Sequence, residues 1–294
     1  MIRSMYSGIS GMKNFQTKLD VIGNNIANVN TYGFKKGRVT FKDMVNQTIS
    51  GASGPSQGKG GINPKQVGLG SQLAAIDTID TQGSLQTTGR VLDLAIQGDG
   101  YLVVAEGAFG GTPSTFTPTS TYYTRAGNLY ISSEGYLVTS GGHYVLSDNE
   151  TPIRLNDGDI EGIKNLSISE DGKITYIASV EDTITTVGDF TREGTSDLFI
   201  SDISIALARF KNPGGLEKVG ENMYTNTVNS GEASYKIPGT DGAGILVSGA
   251  LEMSNVDLSE EFTEMIVAQR GFQANTRIIT TSDEILQELV NLKR

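Results

Sequence analysis

The 294-residue sequence predicts an α+β protein: long N- and C-terminal helices pairing as a coiled-coil-like rod, with a central, mainly antiparallel β domain. Three observations predict it. Apolar residues recur every seven positions at both ends, short apolar runs alternate with glycine turns in between, and the two ends carry opposite net charge.

At the amino end Met5, Met12, Leu19 and Ile26 form one seven-residue row, and Phe15, Ile22 and Val29 form a second row three positions on. Such rows make the seam of a coiled coil. At the carboxy end Leu258, Met265, Phe272, Ile279 and Leu286 fall in the same period. Asp257 or Ser259 stands before an acidic first turn of Glu260, Glu261 and Glu264, which suits a helix start. Gln16, Gly23, Gln269, Thr276 and Asp283 interrupt the partner rows, so each helix needs a partner to stand. Residues 1–42 carry seven Lys/Arg against Asp20, a net of +6, and residues 257–294 carry seven acids against four bases, a net of −3. Opposite signs favour the two ends meeting, within a molecule or between neighbours.

Asn24, Asn25, Asn28 and Asn30 close the first helix, where asparagine caps the backbone or bonds a neighbouring subunit. The expected organisation is an N-terminal helix over 1–30, an extended Gly/Ser-rich neck over 31–71, a β-rich outer domain over 72–250 and a C-terminal helix over 251–294. The neck is loosest at 50–63, which reads as a linker or strap. Within the β domain, Asp99-Gly100, Asp171-Gly172 and Asp241-Gly242 mark turns, 109–121 reads as an exposed loop and 179–197 as an inserted strand pair.

A net charge of −10 sets the chain against nucleic acid, and the absence of cysteine removes disulfides, thiolate metal sites and a cysteine nucleophile. The start runs from Met1 into polar residues without the apolar core of a secretory signal. No stretch approaches the roughly 20 apolar residues that span a bilayer. The expectation is a soluble chain with no membrane insertion that, if exported, leaves the cell without a cleavable signal peptide.

Chemistry finds little purchase. His143 is the one histidine, in Ser140-Gly141-Gly142-His143-Tyr144, and reads as a turn or strand residue rather than a triad base. Asp157-Gly158-Asp159-Ile160-Glu161-Gly162 resembles half a calcium loop, but Ile168 stands where a bidentate Glu is needed. No phosphate loop or serine elbow occurs, so no catalytic, cofactor or metal residues are assigned and no cofactor is expected.

The ends carry a resemblance. Ser7-Gly8-Ile9-Ser10-Gly11-Met12, with Leu19-Asp20-Val21-Ile22-Gly23-Asn24-Asn25-Ile26-Ala27-Asn28 running on to Thr31-Tyr32-Gly33-Phe34-Lys35, resembles the amino-terminal motif of flagellar rod and hook proteins. Asp93–Val104, Tyr123–Leu129 and Gly249–Leu258 resemble further segments of that family. Gly271-Phe272-Gln273-Ala274-Asn275 and Leu289-Val290-Asn291-Leu292 look more like the hook subunit than the distal rod subunit.

The resemblance implies a structural, non-enzymatic subunit of the extracellular flagellum that polymerises with itself into the hook, the flexible joint carrying motor torque, with the distal rod as alternative. It also implies adjacent rod and hook–filament junction proteins as neighbours, and the hook cap and type III export apparatus as partners in assembly. The assembly interface is expected at Met5, Met12, Leu19, Ile22, Ile26, Asn24, Asn25, Asn28, Leu258, Met265, Phe272, Ile279 and Leu286. The neck would let the polymer bend.

Overall fold

The computed structural model describes residues 2–55, 60–109, 116–155, 163–178, 186–187, 190–192 and 198–292. They divide into a helical unit, Met1–Asn28 with Lys36–Ile79 and Val256–Arg294, and a β unit, Val29–Lys35 with Asp80–Asn255.

In the helical unit α1 (Ile2–Ala27) and α2 (Leu258–Leu292) lie antiparallel, as the heptad rows predicted: Gly8 lies against Ile278 and Ile279, Gly11 against Asn275, and Phe15 against Gly271. Asp257 is the N-cap of α2, its carboxylate accepting the Ser259 amide at 2.8 Å. Asn28 closes α1: its amide and its Nδ2 both donate to the Asn24 carbonyl, at 3.1 and 3.0 Å.

The stretch expected to be a loose neck is largely a hydrogen-bonded ribbon. β1 (Gly37–Asp43) and β2 (Asn46–Ser50) run out, and β3 (Lys65–Gly68) and β4 (Ser71–Thr78) run back. β1 pairs with β4 from Gly37 opposite Thr78 to Asp43 opposite Ser71, and β2 pairs with β3. Glycine and serine are concentrated at the tip, while the flanks contain Val39, Thr40, Thr48 and Ile49, which favour extended pairing. Residues 56–59 of the tip lie outside the described residues.

The strands of the β unit begin with β5 (Leu85–Thr87), β6 (Leu94–Gln97), β7 (Tyr101–Phe109), β8 (Phe116–Thr124), β9 (Leu129–Ile131), β10 (Leu137–Thr139) and β11 (Tyr144–Val145). Next come β12 (Ile163–Ile168), β13 (Lys173–Ala178), β14 (Thr186–Val187), β15 (Phe190–Arg192) and β16 (Leu198–Ser204). It ends with β17 (Leu207–Arg209), β18 (Glu217–Gly220), β19 (Met223–Thr225), β20 (Ser234–Lys236), β21 (Ile245–Ser248) and β22 (Ala250–Glu252). Among the described residues the main sheet runs β18-β19-β8-β7-β11-β10-β9, with β17 also on β7 and β20 on β17. A second sheet runs β12-β13-β16-β15-β14, and β21 and β22 return antiparallel to β6 and β5.

Successive residues of β7 point to opposite faces, and both faces are covered. Leu102 and Val104 join Leu94, Ile96, Leu129 and Leu207 in one core; Tyr101, Val103 and Ala105 join Tyr123, Phe210 and Tyr224 in another. Burying each of the Leu, Ile, Val and Phe side chains fully contributes about 1.5–3 kcal/mol.

One local expectation changes. The end of the supposed 109–121 loop is strand, because β8 begins at Phe116 and pairs with Phe109 of β7. Pro118 is accommodated opposite Gly107, where the register shifts, since proline cannot donate to a regular ladder. Residues 110–115 lie outside the described residues, as does the half calcium loop at 157–162. Within 179–197, β14 and β15 pair antiparallel, and the remaining positions lie outside the described residues. His143 is buried in the turn before β11, its amide donating to Thr139 Oγ1 at 3.3 Å and its carbonyl accepting the Thr139 amide at 2.9 Å.

Candidate assembly interface

The helices meet on small and polar side chains. Gly8, Gly11, Phe15, Ile22 and Asn25 of α1 turn towards the α2 side that bears Glu261, Ala268, Gly271, Asn275 and Ser282. Gly271 is required there: a Cβ on it would stand 2.5 Å from the Phe15 ring. Ala268 and Ser282 are buried, and Ile22 is the large α1 side chain sealed at 4% exposure.

Asn25 closes the far end of the pair. Its Nδ2 donates to the Gly37 carbonyl at 2.9 Å and to Glu261 Oε2 at 3.2 Å, while its Oδ1 accepts the Gly37 amide at 3.0 Å. One buried amide thus fastens α1 to the first turn of α2 and to the start of β1. Around it, Lys18 pairs with Glu264, and Lys36 with Glu260 at 2.7 Å. These bases and acids line a cavity of about 310 Å³ together with Ile22 and Asn25. The positive amino end and negative carboxy end do meet within the subunit.

Of the other residues expected at the interface, Met5, Met12, Leu19 and Ile26 are half-buried on α1, as are Met265, Phe272, Ile279 and Leu286 on α2. Met12 Sδ accepts a long hydrogen bond from Thr276 Oγ1 at 3.8 Å. Leu258 and Asn24 are exposed, and Asn28 is half-buried against its own helix. Beside these lies apolar surface that seven-residue counting did not single out: Ile266, Val267, Ile278 and Val290 are 59%, 57%, 45% and 65% exposed. Since Gly8 faces Ile278, about eight residues of α2 overhang the start of α1, roughly 12 Å of helix carrying Ile285, Leu289 and Leu292 in solvent. The paired helices thus leave apolar side chains of α2 in solvent along their length.

A second constellation lies wholly in the β unit and was missed from sequence. Lys35 Nζ donates to Glu252 Oε1 and to the Thr81 carbonyl, both at 2.7 Å, with Asp80 at 3.9 Å. Arg125 reaches Glu252 Oε2 at 3.1 Å and the Gly98 carbonyl at 2.8 Å, and the Gly83 amide donates to Glu252 Oε1 at 2.9 Å. Burial foremost, and then Arg125, hold the Lys35 ammonium below the usual lysine range, against the pull of Glu252. Gly33 brings the segment in at a left-handed φ of 70°, its amide donating to the Glu252 carbonyl at 2.8 Å. A Cβ on Gly33 would stand 2.7 Å from the Arg125 backbone. Lys218 covers the outside, donating to the Lys35 carbonyl at 2.9 Å and lying over the Phe34 ring; burial lowers its pKa as well. The usable sequence signal was the Gly33-Phe34-Lys35 end of the amino-terminal motif, a cation following an obligatory glycine.

Comparison with known proteins agrees with this architecture. Residues 5–35 match the family model for flagella basal body rod proteins, residues 95–176 that for the D1 domain of the flagellar hook protein FlgE/F/G, and residues 247–292 that for the C-terminal region of flagellar basal body rod FlgEFG proteins. The chain is 54% identical to the flagellar basal-body rod protein FlgG of Bacillus subtilis over the full length of both. In Borreliella burgdorferi the rod protein FlgG is 39% identical over 298 residues and the hook protein FlgE 33% over an alignment of 453, each covering both chains completely. With both ends, the β unit and the full length all in agreement, the chain belongs to the flagellar rod and hook protein family.

Proposed function

We propose that this chain is a structural subunit of the flagellar rod, the stiff shaft of the basal body, and that it polymerises with copies of itself through α1 and α2. The carrying observation is the 54% identity to a basal-body rod protein from end to end. The hook was the first expectation, on Gly271–Asn275 and Leu289–Leu292. The comparisons support the rod instead: relatives named as rod protein align over nearly this chain's own length, whereas the Borreliella burgdorferi hook protein needs an alignment of 453 residues. Gly271 and Asn275 pack on Phe15 and Gly11 inside the subunit, so they report on the helix pair rather than on the kind of polymer.

The ribbon supports the same reading. A coil of glycine and serine bends at little cost, but a strand pair bonded from Gly37–Thr78 to Asp43–Ser71 resists bending. Neighbouring rod and hook subunits and the export apparatus are the partners this reading implies, and the flagellum outside the inner membrane is the location. Among the described residues no helix is long and apolar enough to cross a membrane.

Immunolabelling of isolated hook–basal bodies tests the reading. Label on the straight rod is expected; label confined to the curved segment would return the chain to the hook.

A further inference from the structure

We propose that Lys35, held by Glu252, Asp80 and the Thr81 carbonyl, is a positioning residue that anchors the β unit against load carried along the chain from the helical unit. The inference rests on the shaft reading above, in which torque must pass from one unit to the other.

The chain passes between its two units at four peptide links, 28/29, 35/36, 79/80 and 255/256. On the β side the residues next to these links are bonded to one another. Lys35 donates to the Thr81 carbonyl at 2.7 Å. Asn255 Nδ2 donates to Thr81 Oγ1 at 3.0 Å, and its amide to the Phe34 carbonyl at 3.4 Å. Glu252 accepts from Lys35, from the Gly83 amide and from Arg125, and its own carbonyl accepts the Gly33 amide. The segment that begins at link 28/29 is held by Asn222, whose Nδ2 donates to the Tyr32 carbonyl at 3.0 Å.

Tension applied through any one link is therefore shared by bonds to the segments behind the others, which must fail together rather than one by one. Lys35 is the cation common to the segments behind 35/36, 79/80 and 255/256. Packing alone does not require it, since a buried ion pair can be replaced by apolar side chains of similar volume at little loss of stability. What an ion cluster adds is direction: Glu252 closes β22, Thr81 and Gly83 lie in the segment leading into β5, and Arg125 ties Glu252 to the Gly98 carbonyl just after β6.

The chain contains no cysteine, so pairs of engineered cysteines give unambiguous pulling handles on the full-length protein. Handles at the exposed Asp20 and Glu134 load the β unit through the links; handles at Glu134 and the exposed Val228 load it internally. Lys35→Met is expected to lower the rupture force for the first pair and leave the second unchanged. In hydrogen exchange the Gly33 and Gly83 amides should speed up about tenfold or more, the loss of a hydrogen bond to a charged group, with the β7–β8 amides unaffected. A fall of equal size for both handle pairs, or unchanged exchange at Gly33 and Gly83, overturns the proposal. Should Lys35→Met fail to fold, Asp80→Asn, at the cluster's edge, is put through the same two measurements, with the same results expected and the same results overturning the proposal. Both are made on the purified monomer, so their result is independent of whether label falls on rod or hook.

Discussion

The Phe15 ring fills the space a side chain at Gly271 would need, 2.5 Å from Cζ to the position of a Cβ. Gly271→Val should push α1 and α2 apart, an overpacking that costs about 1–3 kcal/mol. Chemical denaturation followed by far-UV circular dichroism would read it. Adding Phe15→Ala should restore part of the loss; a double variant no better than Gly271→Val would place the damage elsewhere.

Asn25 makes three hydrogen bonds from a 2% exposed side chain. Asn25→Ala leaves Glu261 and the Gly37 backbone groups without those partners, at a cost of about 1–3 kcal/mol. Exchange at the Gly37 amide, followed by mass spectrometry, should accelerate before that at the middle of α1. Equal acceleration along α1 would show a general loosening instead of a released clamp.

The half-exposed rows separate folding from assembly. Ile278 and Leu289 are 45% and 49% exposed, so Ile278→Asp or Leu289→Asp should shift monomer stability by only about 0.5 kcal/mol. Leu19→Asp and Phe272→Asp, at half-buried positions, should also loosen the helix pair while sparing the β unit. All four should abolish polymerisation in a sedimentation assay. Normal polymers from Ile278→Asp and Leu289→Asp would remove the exposed face from the interface.

Glu252→Ala would leave Lys35 and Arg125 facing each other with no carboxylate between them. Breaking a buried pair this way costs about 3–5 kcal/mol, on the order of a 10 °C fall in Tm for a unit of this size. Lys35→Met in the same chain should recover part of that fall. A thermal melt in which the two losses simply add would show that the side chains act separately.

Alkali should unfold the β unit. Tyr101, Tyr123 and Tyr224 all have pKa values raised far above the ordinary 10.0, by burial first in each case, then by Asp80 for Tyr101 and Tyr224 and by the Tyr235 hydrogen bond for Tyr123. Groups raised in the folded state give their full stability below the unfolded value and lose it as pH climbs past 10, about 1.4 kcal/mol per group and pH unit. Lys35 is lowered, so its single proton works the other way, adding stability up to its ordinary 10.5 and nothing more beyond it. The expected result is a late, cooperative rise in tyrosinate absorbance coincident with loss of β signal. A smooth titration of all 11 tyrosines near pH 10 with the fold intact would contradict it.

The two helices, their antiparallel pairing and a helix start at Asp257 or Ser259 were legible because each depends on residues within a few turns of one another or on charge summed over a whole segment. The Ser7–Lys35 and Gly249–Leu258 motifs likewise pointed to the family. Strand pairing within the neck was not legible where composition was averaged: Gly51–Gly61 obscured the β-branched flanks that pair across the ribbon. The Gly271–Asn275 stretch does not discriminate hook from rod, because Gly271 and Asn275 answer to Phe15 and Gly11, contacts that spacing along the chain does not show.

By itself, then, the sequence determined the period of each helix, the alternating runs of the β domain and the membership of the family, since these are set by backbone geometry repeated over neighbouring residues. Tertiary structure alone decided which helical row is sealed and which stays open, and it alone brought Lys35 to Glu252 across 217 positions. The reason is physical: a helix presents several rows of side chains, and only the closest approach allowed by Gly8, Gly11 and Gly271 selects the inner one. A buried charge, in turn, is tolerable only where remote segments happen to supply its partners.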